Sequence, residues 1–468
     1  MDQPLPFQHL KPGEISPELI AKLDRSGPRY TSYPTAPEWT ESFGPTEYAQ
    51  ALQRADDQTD PLAIYVHIPF CAELCFFCGC TVVVTNNPAA NTRYLDRLRA
   101  ELALVTPHLR RRRTAGQLHF GGGTPTHLTP AELEELHGLL SEHFQFTADA
   151  EKAIEVDPRV TTPEHVAALR KLGFNRISLG VQDFDPTVQN AVNRQQSEEK
   201  TRELFELCRR SGFTSINIDL IYGLPYQTPE SFAKTLSSVI AMRPDRVAVF
   251  GYAHVPWMKK AQTKFERKDR LPTAAERCAL FSSAVDAFTG AGYRSIGLDH
   301  FALPHDELTR ALENGTMTRS FQGYTTRPSE DLVSFGHSAI SDLAGAYAQN
   351  GRELPTYEAA IREGRLATCR GYRLTHDDEL RRSVIMQVMS GVPLRFAEVE
   401  RRFGVSFTQT FAREIEELKP LESDGLLRLE SDRLTITPIG RIFVRNVAMT
   451  FDRFLREKRV ERKFSRTV

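Results

Sequence analysis

Four cysteines, Cys71, Cys75, Cys78 and Cys80, lie within one ten-residue segment. The first three have the spacing C-x3-C-x2-C, which is typical of proteins that hold an iron–sulfur cluster. Three thiolates can bind three irons of a [4Fe–4S] cluster, which leaves the fourth iron open to a ligand that is not protein. The spacing therefore predicts a reactive metal centre with Cys71, Cys75 and Cys78 as its ligands.

Two other uses of cysteine remain open at this point. A structural zinc site usually combines two C-x2-C pairs, whereas the other cysteines of this chain, Cys208, Cys278 and Cys369, stand singly. A disulfide framework is typical of small secreted domains. This chain has 7 Cys in 468 residues and starts without the basic and apolar segments of a secretory leader. A cluster is therefore favoured over zinc, disulfides or plain thiols.

The charges of the chain are balanced, with 59 Lys and Arg residues against 60 Asp and Glu residues. A balanced surface does not attract nucleic acid or anionic membranes as a whole. The sequence also has no run of about eighteen uncharged apolar residues that could span a membrane. We therefore expect a cytoplasmic, monomeric protein that binds neither nucleic acid nor membrane, and in which local arginines meet any anionic ligand.

Short β-branched runs alternate with longer amphipathic runs from about residue 60 to residue 300. This alternation is typical of βα units on a parallel sheet. The predicted strands are Leu62–His67, Gln117–Phe120, Ala153–Val156, Arg176–Leu179, Ser215–Ile221, Arg246–Phe250 and Tyr293–Gly297. The predicted helices are Tyr94–Val105, Ala131–Phe144, Pro163–Leu172, Glu198–Arg210, Pro229–Met242 and Ala274–Ala291. Six or seven such units predict an α/β fold with a partial or full βα barrel, whose active site lies at the carboxyl ends of the strands.

The chain is longer than one ordinary domain, and we predict three parts. Residues 1–55 are Pro-rich and partly aromatic, and they form an N-terminal extension that covers the active site. Residues 56–350 form the catalytic barrel, and residues 351–468 form a mainly helical C-terminal domain. In that domain, several helices precede a short strand pair at Leu426–Leu429 and Leu434–Thr437, and a helix runs from Pro438 to about Lys458. This order is similar to that of a winged helix.

A glycine-rich turn, Gly121-Gly-Gly-Thr-Pro125, directly follows the second predicted strand. Glycines at such a place let the backbone approach a ligand and leave N–H and C=O groups to face it. The turn matches neither G-x-G-x-x-G nor G-x4-G-K-[ST], so the amino acid portion of a small cofactor fits better than a pyrophosphate. An ordinary tight turn is the alternative.

Polar side chains also stand at the ends of the later strands. Glu155 and Asp157 end the third strand, and either carboxylate could accept a hydrogen bond from the ammonium group or ribose of a cofactor. Gln182 and Asp219 occupy similar places, and Arg194 could supply positive charge. A charged Asp219 would be costly to bury alone, so we expect it to face a cavity or to have a partner.

Several of these motifs resemble those of one known protein family. The segment Tyr65-Val-His-Ile-Pro-Phe70, the three cysteines and the glycine-rich turn resemble the radical S-adenosylmethionine superfamily. Cys80 and three further segments resemble the oxygen-independent coproporphyrinogen III oxidases within it; those segments are Gly27–Pro34, Gly297–Ala302 and Phe321–Thr326. The resemblance extends from about residue 26 to Arg466. Related haem chaperones share the cysteine core but usually lack these additional motifs.

The resemblance implies a radical reaction. In that family, an electron from the cluster cleaves S-adenosylmethionine to methionine and a 5′-deoxyadenosyl radical. The radical removes a hydrogen from a propionate of coproporphyrinogen III, which then loses CO2 and an electron to give a vinyl group. Two such events yield protoporphyrinogen IX in haem biosynthesis. The electron donor is unidentified, and a flavodoxin is one expectation.

The resemblance also implies roles for individual residues. Tyr65, Gly122, Glu155 and Ile340 would contact S-adenosylmethionine on the cluster. A second S-adenosylmethionine would contact a further set, namely Phe77, Gly123, Thr124, Gln182, Arg194, Asp219 and Ala253. Tyr65, His67 and Cys80 would belong to the catalytic centre, and the Cys-x-Cys spacing is expected to point Cys80 away from the cluster.

The substrate carries four carboxylates, so arginines and tyrosines should bind them. The candidates are Arg29, Tyr30 and Arg319, whereas Arg110–Arg113 are expected to form a solvated turn at the end of a helix. Two features depart from the family pattern. They are the apolar segment Thr81–Thr85 and the tryptophan Trp257. A redox-sensing nucleic-acid binder is the alternative from another class, and the lack of a basic recognition helix counts against it.

Overall fold

The computed structural model describes residues 15–267, 271–321, 323–326, 331–457 and 464–467. The strands are β1 (Leu62–Ile68), β2 (Phe70–Cys71), β3 (Val83–Val84), β4 (Thr114–Gly122), β5 (Gln145–Val156), β6 (Arg176–Gln182), β7 (Ser215–Tyr222), β8 (Arg246–Gly251), β9 (Arg294–Ile296), β10 (His300–Ala302), β11 (Thr318–Ser320), β12 (Gly323–Thr325), β13 (Leu332–Phe335), β14 (Ile340–Leu343), β15 (Ala346–Asn350), β16 (Thr368–Arg373), β17 (Leu394–Arg395), β18 (Leu427–Leu429) and β19 (Arg433–Ile436).

The helices lie mostly between these strands and in the C-terminal part. They are α1 (Pro17–Leu23), α2 (Pro45–Ala55), α3 (Ala89–Val105), α4 (Pro130–His143), α5 (Pro163–Lys171), α6 (Pro186–Ala191), α7 (Glu198–Arg210), α8 (Pro229–Met242), α9 (Lys264–Arg267), α10 (Ala274–Gly290), α11 (Glu307–Glu313), α12 (Leu354–Arg362), α13 (His376–Ser390), α14 (Phe396–Phe403), α15 (Phe407–Thr410), α16 (Ala412–Ser423), α17 (Pro438–Ile442), α18 (Val444–Met449) and α19 (Arg453–Glu457). Among the described residues, no helix is both long and apolar enough to cross a membrane.

One large sheet organises the molecule. Its strand order is β16-β15-β14-β13-β1-β4-β5-β6-β7-β8-β10-β9. The neighbours from β1 through β4, β5, β6, β7 to β8 are all parallel. The predicted α/β fold is therefore confirmed. Strands β9 and β16 lie at the two edges of this sheet, as expected of a partial barrel.

The prediction that Tyr293–Gly297 forms the seventh strand of the parallel βα series is wrong. This segment forms β9, which runs antiparallel to β10, and β10 in turn runs antiparallel to β8. Only residues 297–299 separate β9 from β10. A parallel crossover needs about a dozen residues or more, so a hairpin is the connection that this short turn allows.

The helices between the parallel strands begin where the sequence predicts. Thr129, Thr162 and Thr228 each accept a hydrogen bond from the third backbone N–H of the helix that follows, and a proline occupies the first helical position. Such caps satisfy backbone donors that the first turn leaves open. Each helix returns the chain to the opposite end of the sheet, so the carboxyl ends of the parallel strands meet at one edge.

The large sheet continues beyond residue 350. Strand β16 pairs with β15 and extends the sheet to Arg373. The N-terminal extension joins the same region, because the backbones of Thr40 and Gly371 exchange hydrogen bonds of 2.9 Å and 3.0 Å. The division into residues 1–55, 56–350 and 351–468 remains a prediction, and residues 1–14 lie outside the described residues.

The C-terminal part is mainly helical with a small antiparallel sheet in the order β17-β19-β18. The helix predicted from Pro438 to about Lys458 is wrong as a single helix, because the chain forms α17, α18 and α19 instead. Phe443 leaves helical geometry with φ −106° and ψ 20°. Asp452 then starts a new helix, since its Oδ1 accepts from the N–H groups of Phe454 at 2.9 Å and Leu455 at 3.3 Å. Lys458 lies outside the described residues.

Tyr30 anchors the N-terminal extension rather than facing a cavity. Its side chain is 1 % exposed, and its hydroxyl donates to Oδ2 of Asp452 at 2.8 Å. Beside it, the guanidinium of Arg445 donates to the carbonyl of Pro28 at 2.9 Å and to that of Gly27. This burial leaves neither the hydroxyl nor the ring of Tyr30 for a substrate carboxylate. The predicted substrate contact of Tyr30 is therefore corrected to a structural contact.

We expect Tyr30→Phe to lower the free energy of unfolding by about 1–3 kcal/mol, because the buried Asp452 carboxyl loses a hydrogen-bond donor. Chemical denaturation of both proteins measures this difference. The Michaelis constant for substrate should stay unchanged in the folded variant. A raised Michaelis constant with unchanged stability would instead restore Tyr30 as a substrate contact.

Candidate active site

A cavity of about 600 Å³ opens at the carboxyl ends of the parallel strands. Its lining includes most of the residues that the sequence singles out: Arg29, Cys71, Cys75, Phe77, Cys78, Cys80, Gly122, Gly123, Thr124, Glu155, Gln182, Arg194, Asp219 and Ala253. Residues far apart in the chain thus meet in one place, as expected for strand ends of a βα barrel.

The cysteine loop is held by backbone contacts on several sides. The N–H of Thr85 donates to the carbonyl of Cys71 at 3.0 Å, and that of Phe76 donates to the carbonyl of Val192 at 2.9 Å. The side-chain amide of Asn193 donates to the carbonyl of Leu74 at 2.9 Å. These bonds fix the loop against both the barrel and the segment after α6.

The thiols of Cys71, Cys75 and Cys78 open into the same cavity without forming a single-ion site. Among the described residues, no three His, Cys, Asp or Glu side chains converge closely enough to hold one metal ion. Zinc would need such a convergence, whereas a cube of four irons separates its thiolate ligands more widely. The arrangement therefore fits a cluster better than zinc.

Two arginines balance the negative charge that thiolates would bring. Nη1 of Arg194 lies 3.5 Å and Nη2 of Arg159 lies 3.7 Å from Sγ of Cys75. The carboxylate of Asp157 holds both guanidiniums, at 3.0 Å from Arg194 and 2.8 Å from Arg159. Burial opposes ionisation of Asp157, yet the two arginines keep its pKa below the ordinary value. The two guanidiniums therefore place positive charge beside a sulfur that would bind iron.

The glycine-rich turn is required for close packing. A Cβ on Gly122 would lie 2.6 Å from the His67 ring, and one on Gly123 would lie 2.6 Å from the carbonyl oxygen of Pro69. Gly122 also has φ 115°, which favours glycine. The expectation of free N–H groups is wrong for both residues, because Gly122 donates to Glu155 at 3.2 Å and Gly123 to the carbonyl of Ile68 at 2.8 Å.

Behind this turn, aromatic and charged side chains form a fixed group. Nε2 of His67 lies 2.9 Å from the carbonyl of Thr81, which can only accept. Burial lowers the pKa of His67 to about 4. A neutral ring with its proton on Nε2 leaves Nδ1 to accept from the hydroxyl of Tyr65 at 3.1 Å. Tyr65 and His67 therefore support the cavity wall.

Glu155 receives contacts from two sides. Nε2 of His119 lies 3.1 Å from its Oε1, and the N–H of Gly122 donates to its Oε2. Burial opposes ionisation, yet these contacts keep the pKa of Glu155 below the ordinary value. The ring of His119 also stacks on Tyr65, with centroids 5.7 Å apart and an interplanar angle of 23°. An ionised Glu155 is therefore available to a cationic or hydroxyl-bearing ligand.

Asp219 faces the cavity and has partners, as expected. The hydroxyl of Ser178 and the amide of Asn217 each donate to its carboxylate at 2.8 Å. Burial, together with the negative charge of Glu155, raises the pKa of Asp219 to about 6. Arg194 lies nearby in the lining, and its buried Nε has no hydrogen-bond partner within the described residues.

The chain is similar in sequence to characterised proteins over nearly its whole length. Residues 65–239 match the Radical SAM superfamily, and residues 374–443 match the HemN C-terminal domain. The oxygen-independent coproporphyrinogen III oxidase of Pseudomonas aeruginosa is 45% identical over 453 residues, which is 96% of this chain and 98% of that protein. The enzyme of the same name from Escherichia coli is 46% identical over 450 residues, again 96% and 98% of the two chains.

A solved structure agrees with these relatives. The coproporphyrinogen III oxidase HemN of Escherichia coli, described as a radical SAM enzyme, is 45% identical and superposes with a TM-score of 0.87 over 91% of this chain and 97% of that chain. This chain belongs to the oxygen-independent coproporphyrinogen III oxidase family. Members of the radical SAM superfamily use a [4Fe–4S] cluster and S-adenosylmethionine, and the thiols with their two arginines fit that cluster.

Besides Tyr30, Tyr65 and His67, two further predicted residues lie away from the cavity lining in this oxidase family fold. Ile340 begins β14, which is separated from β1 by β13. Its carbonyl accepts from the hydroxyl of Ser334 at 2.5 Å. Arg319 on β11 lies beside the lining residues Ser320 and Tyr324. The predicted contact of Ile340 with S-adenosylmethionine remains a prediction, and Arg319 is considered below.

Cys80 does not point away from the cluster ligands. Its thiol is a hydrogen-bond neighbour of the Cys78 thiol, and both line the cavity of this oxidase. The expectation from the Cys-x-Cys spacing is therefore wrong. Both cysteines line the same cavity, which the spacing alone does not reveal.

Several site residues of this oxidase were not predicted from the sequence. His119 and Arg159 hold Glu155 and Asp157, respectively. Asp299 and His300 form a pair with Oδ1 and Nδ1 2.6 Å apart. His119 stands two residues before Gly121 on the same strand, so its side chain could have been placed on the face of the glycine-rich turn. Arg159 has no such signal, because it lies in a loop.

We expect Cys75→Ser to abolish both the brown absorption of the reconstituted cluster and the formation of 5′-deoxyadenosine, because serine is a poor ligand for iron in such clusters. Anaerobic absorption spectroscopy and product analysis measure the two losses. Cys369→Ser, in β16, is the matched control and should retain both. Normal absorption in Cys75→Ser would disprove the ligand assignment.

Proposed function

We propose that this chain converts two propionate side chains of coproporphyrinogen III to vinyl groups without oxygen, giving protoporphyrinogen IX in porphyrin biosynthesis. The observation that carries the proposal is the opening of three thiols into one cavity that also contains a buried arginine with an unpaired nitrogen. A thiolate set suits a cluster, and a buried guanidinium N–H without a partner suits a carboxylate. The full-length similarity to oxidases favours this reaction over a haem chaperone.

The cofactors would occupy the thiol side of the cavity. Cys71, Cys75 and Cys78 would hold the cluster. The chemistry that the cluster and S-adenosylmethionine supply when bound is reductive cleavage of the sulfonium to a 5′-deoxyadenosyl radical that removes hydrogen from carbon. Ionised Glu155 would accept hydrogen bonds from the ammonium group or the ribose, and the backbone of Gly122 would allow close approach.

Residues behind the glycine-rich turn would hold Glu155 and Gly122 in position to contact the cofactor. His67 fills the space that a Cβ on Gly122 would need, and its hydrogen bond to Tyr65 fixes the phenol ring. Tyr65 in turn stacks on His119, which holds Glu155. We propose that Tyr65 and His67 serve the catalytic centre in this way, and that the Cys80 thiol contacts the substrate from the cavity wall.

A second S-adenosylmethionine is part of the proposal. Its contacts would be Phe77, Gly123, Thr124, Gln182, Arg194, Asp219 and Ala253, and all of them line the cavity. Arg194 carries the unpaired Nε that a cofactor carboxylate could use. Gln182 has φ 72° beside an irregularity in the β6–β7 pairing, which turns its side chain at the strand end. Such strain is typical of functional sites.

Substrate carboxylates would bind on the side of the cavity formed by β8 and β11. Arg29 donates to the carbonyl of Gly251 at 2.5 Å, and Arg319 donates to the hydroxyl of Tyr324 at 3.0 Å. The buried Nε of each arginine has no hydrogen-bond partner in the part of the chain that the structure describes. Asp299 contributes negative charge close to both, so it would hold the two guanidiniums near one another.

The remaining partners are also proposed. Each cleavage of S-adenosylmethionine takes one electron from the cluster, so a reduced one-electron carrier such as a flavodoxin would act with the enzyme, and an acceptor would take the electron that each decarboxylation releases. We propose a monomeric enzyme in the cytoplasm. The decisive assay is anaerobic incubation of the reconstituted protein with S-adenosylmethionine, reductant and coproporphyrinogen III, followed by the mass of the product. Loss of two CO2 and four hydrogen atoms per porphyrinogen supports the proposal, and an unchanged substrate mass refutes it.

We expect Asp219→Asn to retain the cluster but to lower turnover at least about tenfold, which corresponds to about 1.4 kcal/mol, because a charge-assisted hydrogen bond to the second cofactor is lost. Product formation and the absorption spectrum measure these effects. Unchanged turnover would exclude Asp219 from cofactor binding.

The stability of the Asp219→Asn variant should also depend on pH in a different way from that of the wild type. Asp219 has a pKa raised to about 6 in the folded protein, above its unfolded value. The folded state therefore binds more protons between about pH 4 and 6, and the contribution of this group to stability falls as pH rises through that window. Asp219→Asn should gain stability relative to the wild type above pH 6, and this advantage should vanish near pH 4. Thermal unfolding at several pH values measures the difference.

We expect Arg29→Lys to raise the Michaelis constant for coproporphyrinogen III about tenfold, because lysine keeps the charge but loses the planar fork that binds carboxylates. Arg110→Lys, at an exposed turn, is the matched control. Steady-state kinetics with saturating S-adenosylmethionine measure both variants. Equal Michaelis constants would argue that Arg29 only supports the backbone at Gly251.

A further inference from the structure

A partly apolar surface lies outside the cavity, next to the cysteine loop. Trp257 is 46 % exposed and Met258 is 60 % exposed, and they are two of only four large apolar side chains that are exposed in the described ranges. Val84, which belongs to the apolar segment Thr81–Thr85 that follows Cys80, is 48 % exposed. The other tryptophan, Trp39, is buried. Neighbouring exposed apolar side chains mark a contact site more often than single ones do.

Lysines surround this apolar pair. Lys259, Lys260 and Lys264 follow within seven residues of Trp257, whereas Glu266 is the one acidic residue in the sequence from 254 to 266. Lys260 and Lys264 are exposed. Nζ of Lys264 lies 3.5 Å from the ring centroid of Phe76. An apolar centre with a charged rim is typical of transient protein interfaces.

The same segment contacts the cysteine loop directly. Nζ of Lys259 donates to the carbonyl of Cys80 at 2.6 Å. The side-chain amide of Gln262 donates to the carbonyls of Phe77 at 3.0 Å and Ala253 at 3.1 Å. Phe76 and Phe77 stand between the cluster ligands Cys75 and Cys78. The segment that carries Trp257 and Met258 is therefore hydrogen-bonded to the loop that carries the cluster ligands.

We propose that Trp257, Met258, Lys259, Lys260 and Lys264 form the docking surface for a small acidic one-electron carrier. We call these five residues the lysine–tryptophan surface. The inference rests on the proposed function, since that reaction consumes one electron for each S-adenosylmethionine cleaved. In the transfer, the carrier is oxidised by one electron and the cluster is reduced by one electron, and no covalent bond forms or breaks.

Charge and position favour a carrier over a membrane. The lysines complement an acidic protein, and electrostatic complementarity mainly accelerates and orients such encounters. The hydrogen bonds to Phe77 and Cys80 join the lysine–tryptophan surface to the loop that binds the cluster, which electron transfer requires and membrane binding does not. An anionic lipid surface is therefore the competing outcome in the test.

The test uses the reconstituted holoenzyme and a flavodoxin as the probe. We expect Lys260→Glu/Lys264→Glu to weaken flavodoxin binding at least about tenfold, because like charges then face the acidic carrier. Met258→Ser should also weaken binding. Calorimetry measures affinity, and the wild-type affinity should fall as salt rises. Flavodoxin-driven formation of 5′-deoxyadenosine should fall in parallel at subsaturating flavodoxin, while the dithionite-driven rate stays unchanged.

The matched control is Lys171→Glu/Arg210→Glu. Both residues lie in the last turns of their helices, α5 and α7, at the end of the barrel opposite the cysteines. This double charge reversal should leave flavodoxin binding unchanged. It therefore separates a local effect from a change of net charge.

Equal flavodoxin affinity in all the proteins would overturn the proposal. Loss of the dithionite-driven rate together with the flavodoxin-driven rate in the variants would do the same. The third contrary result is that the wild type but not the variant binds phosphatidylglycerol vesicles while both have the same affinity for flavodoxin. If the wild type makes no vinyl product with either reductant, the proposed function fails, and the calorimetric comparison still decides the docking surface.

Discussion

The electrostatic balance at Cys75 is the constraint on which the site depends. Three thiolates placed together repel one another unless cations lie close by, and Arg194 and Arg159 provide that charge. Asp157 fixes both guanidiniums, although it is itself buried and costly to ionise alone. Arg194 follows α6, and its neighbour Asn193 holds the cysteine loop through Leu74. One short segment therefore both positions the loop and supplies its counter-charge.

Contacts between the N-terminal extension and the C-terminal part form the side of the cavity that contains Arg29. Arg445 is buried in the C-terminal part and donates to the carbonyls of the Gly27–Pro28 segment, and Asp452 accepts from Tyr30. These contacts carry Arg29 into the cavity wall, where it reaches the end of β8. The N-terminal extension thus places Arg29 in the cavity lining while Arg445 and Asp452 hold the neighbouring backbone and Tyr30. Both of these C-terminal residues follow the segment 374–443 that matches the HemN C-terminal domain.

Local signals made most of the barrel predictable. Thr-Pro caps and β-branched runs depend on near neighbours, so the parallel strands and their helices follow from the sequence. The burial of Tyr30 depends on Asp452, which is distant in sequence. The β9–β10 hairpin and the break at Phe443 are local, but the alternation of apolar runs does not distinguish a short hairpin from a βα unit or a broken helix from a continuous one. The cysteine spacing and glycine-rich turn revealed the cofactor side, and most of the predicted residues line it. Arg159 and His119 were missed because their importance comes from Asp157 and Glu155, which only the folded chain brings to them.

The charges along the cavity favour different binding places for the proposed cofactor and the proposed substrate. Glu155 and Asp219 line the same cavity as Arg194 and Arg29, and the charge of Glu155 contributes to the raised pKa of Asp219. These carboxylates attract the sulfonium and ammonium groups of a cofactor and repel a substrate carboxylate. In the proposed function, Arg29 and Arg319 would attract that carboxylate instead, beside the end of β8 and on β11. The same charges would then separate the two ligands, because the carboxylates Glu155 and Asp219 favour the cationic groups of the cofactor and the arginines favour the anionic groups of the substrate.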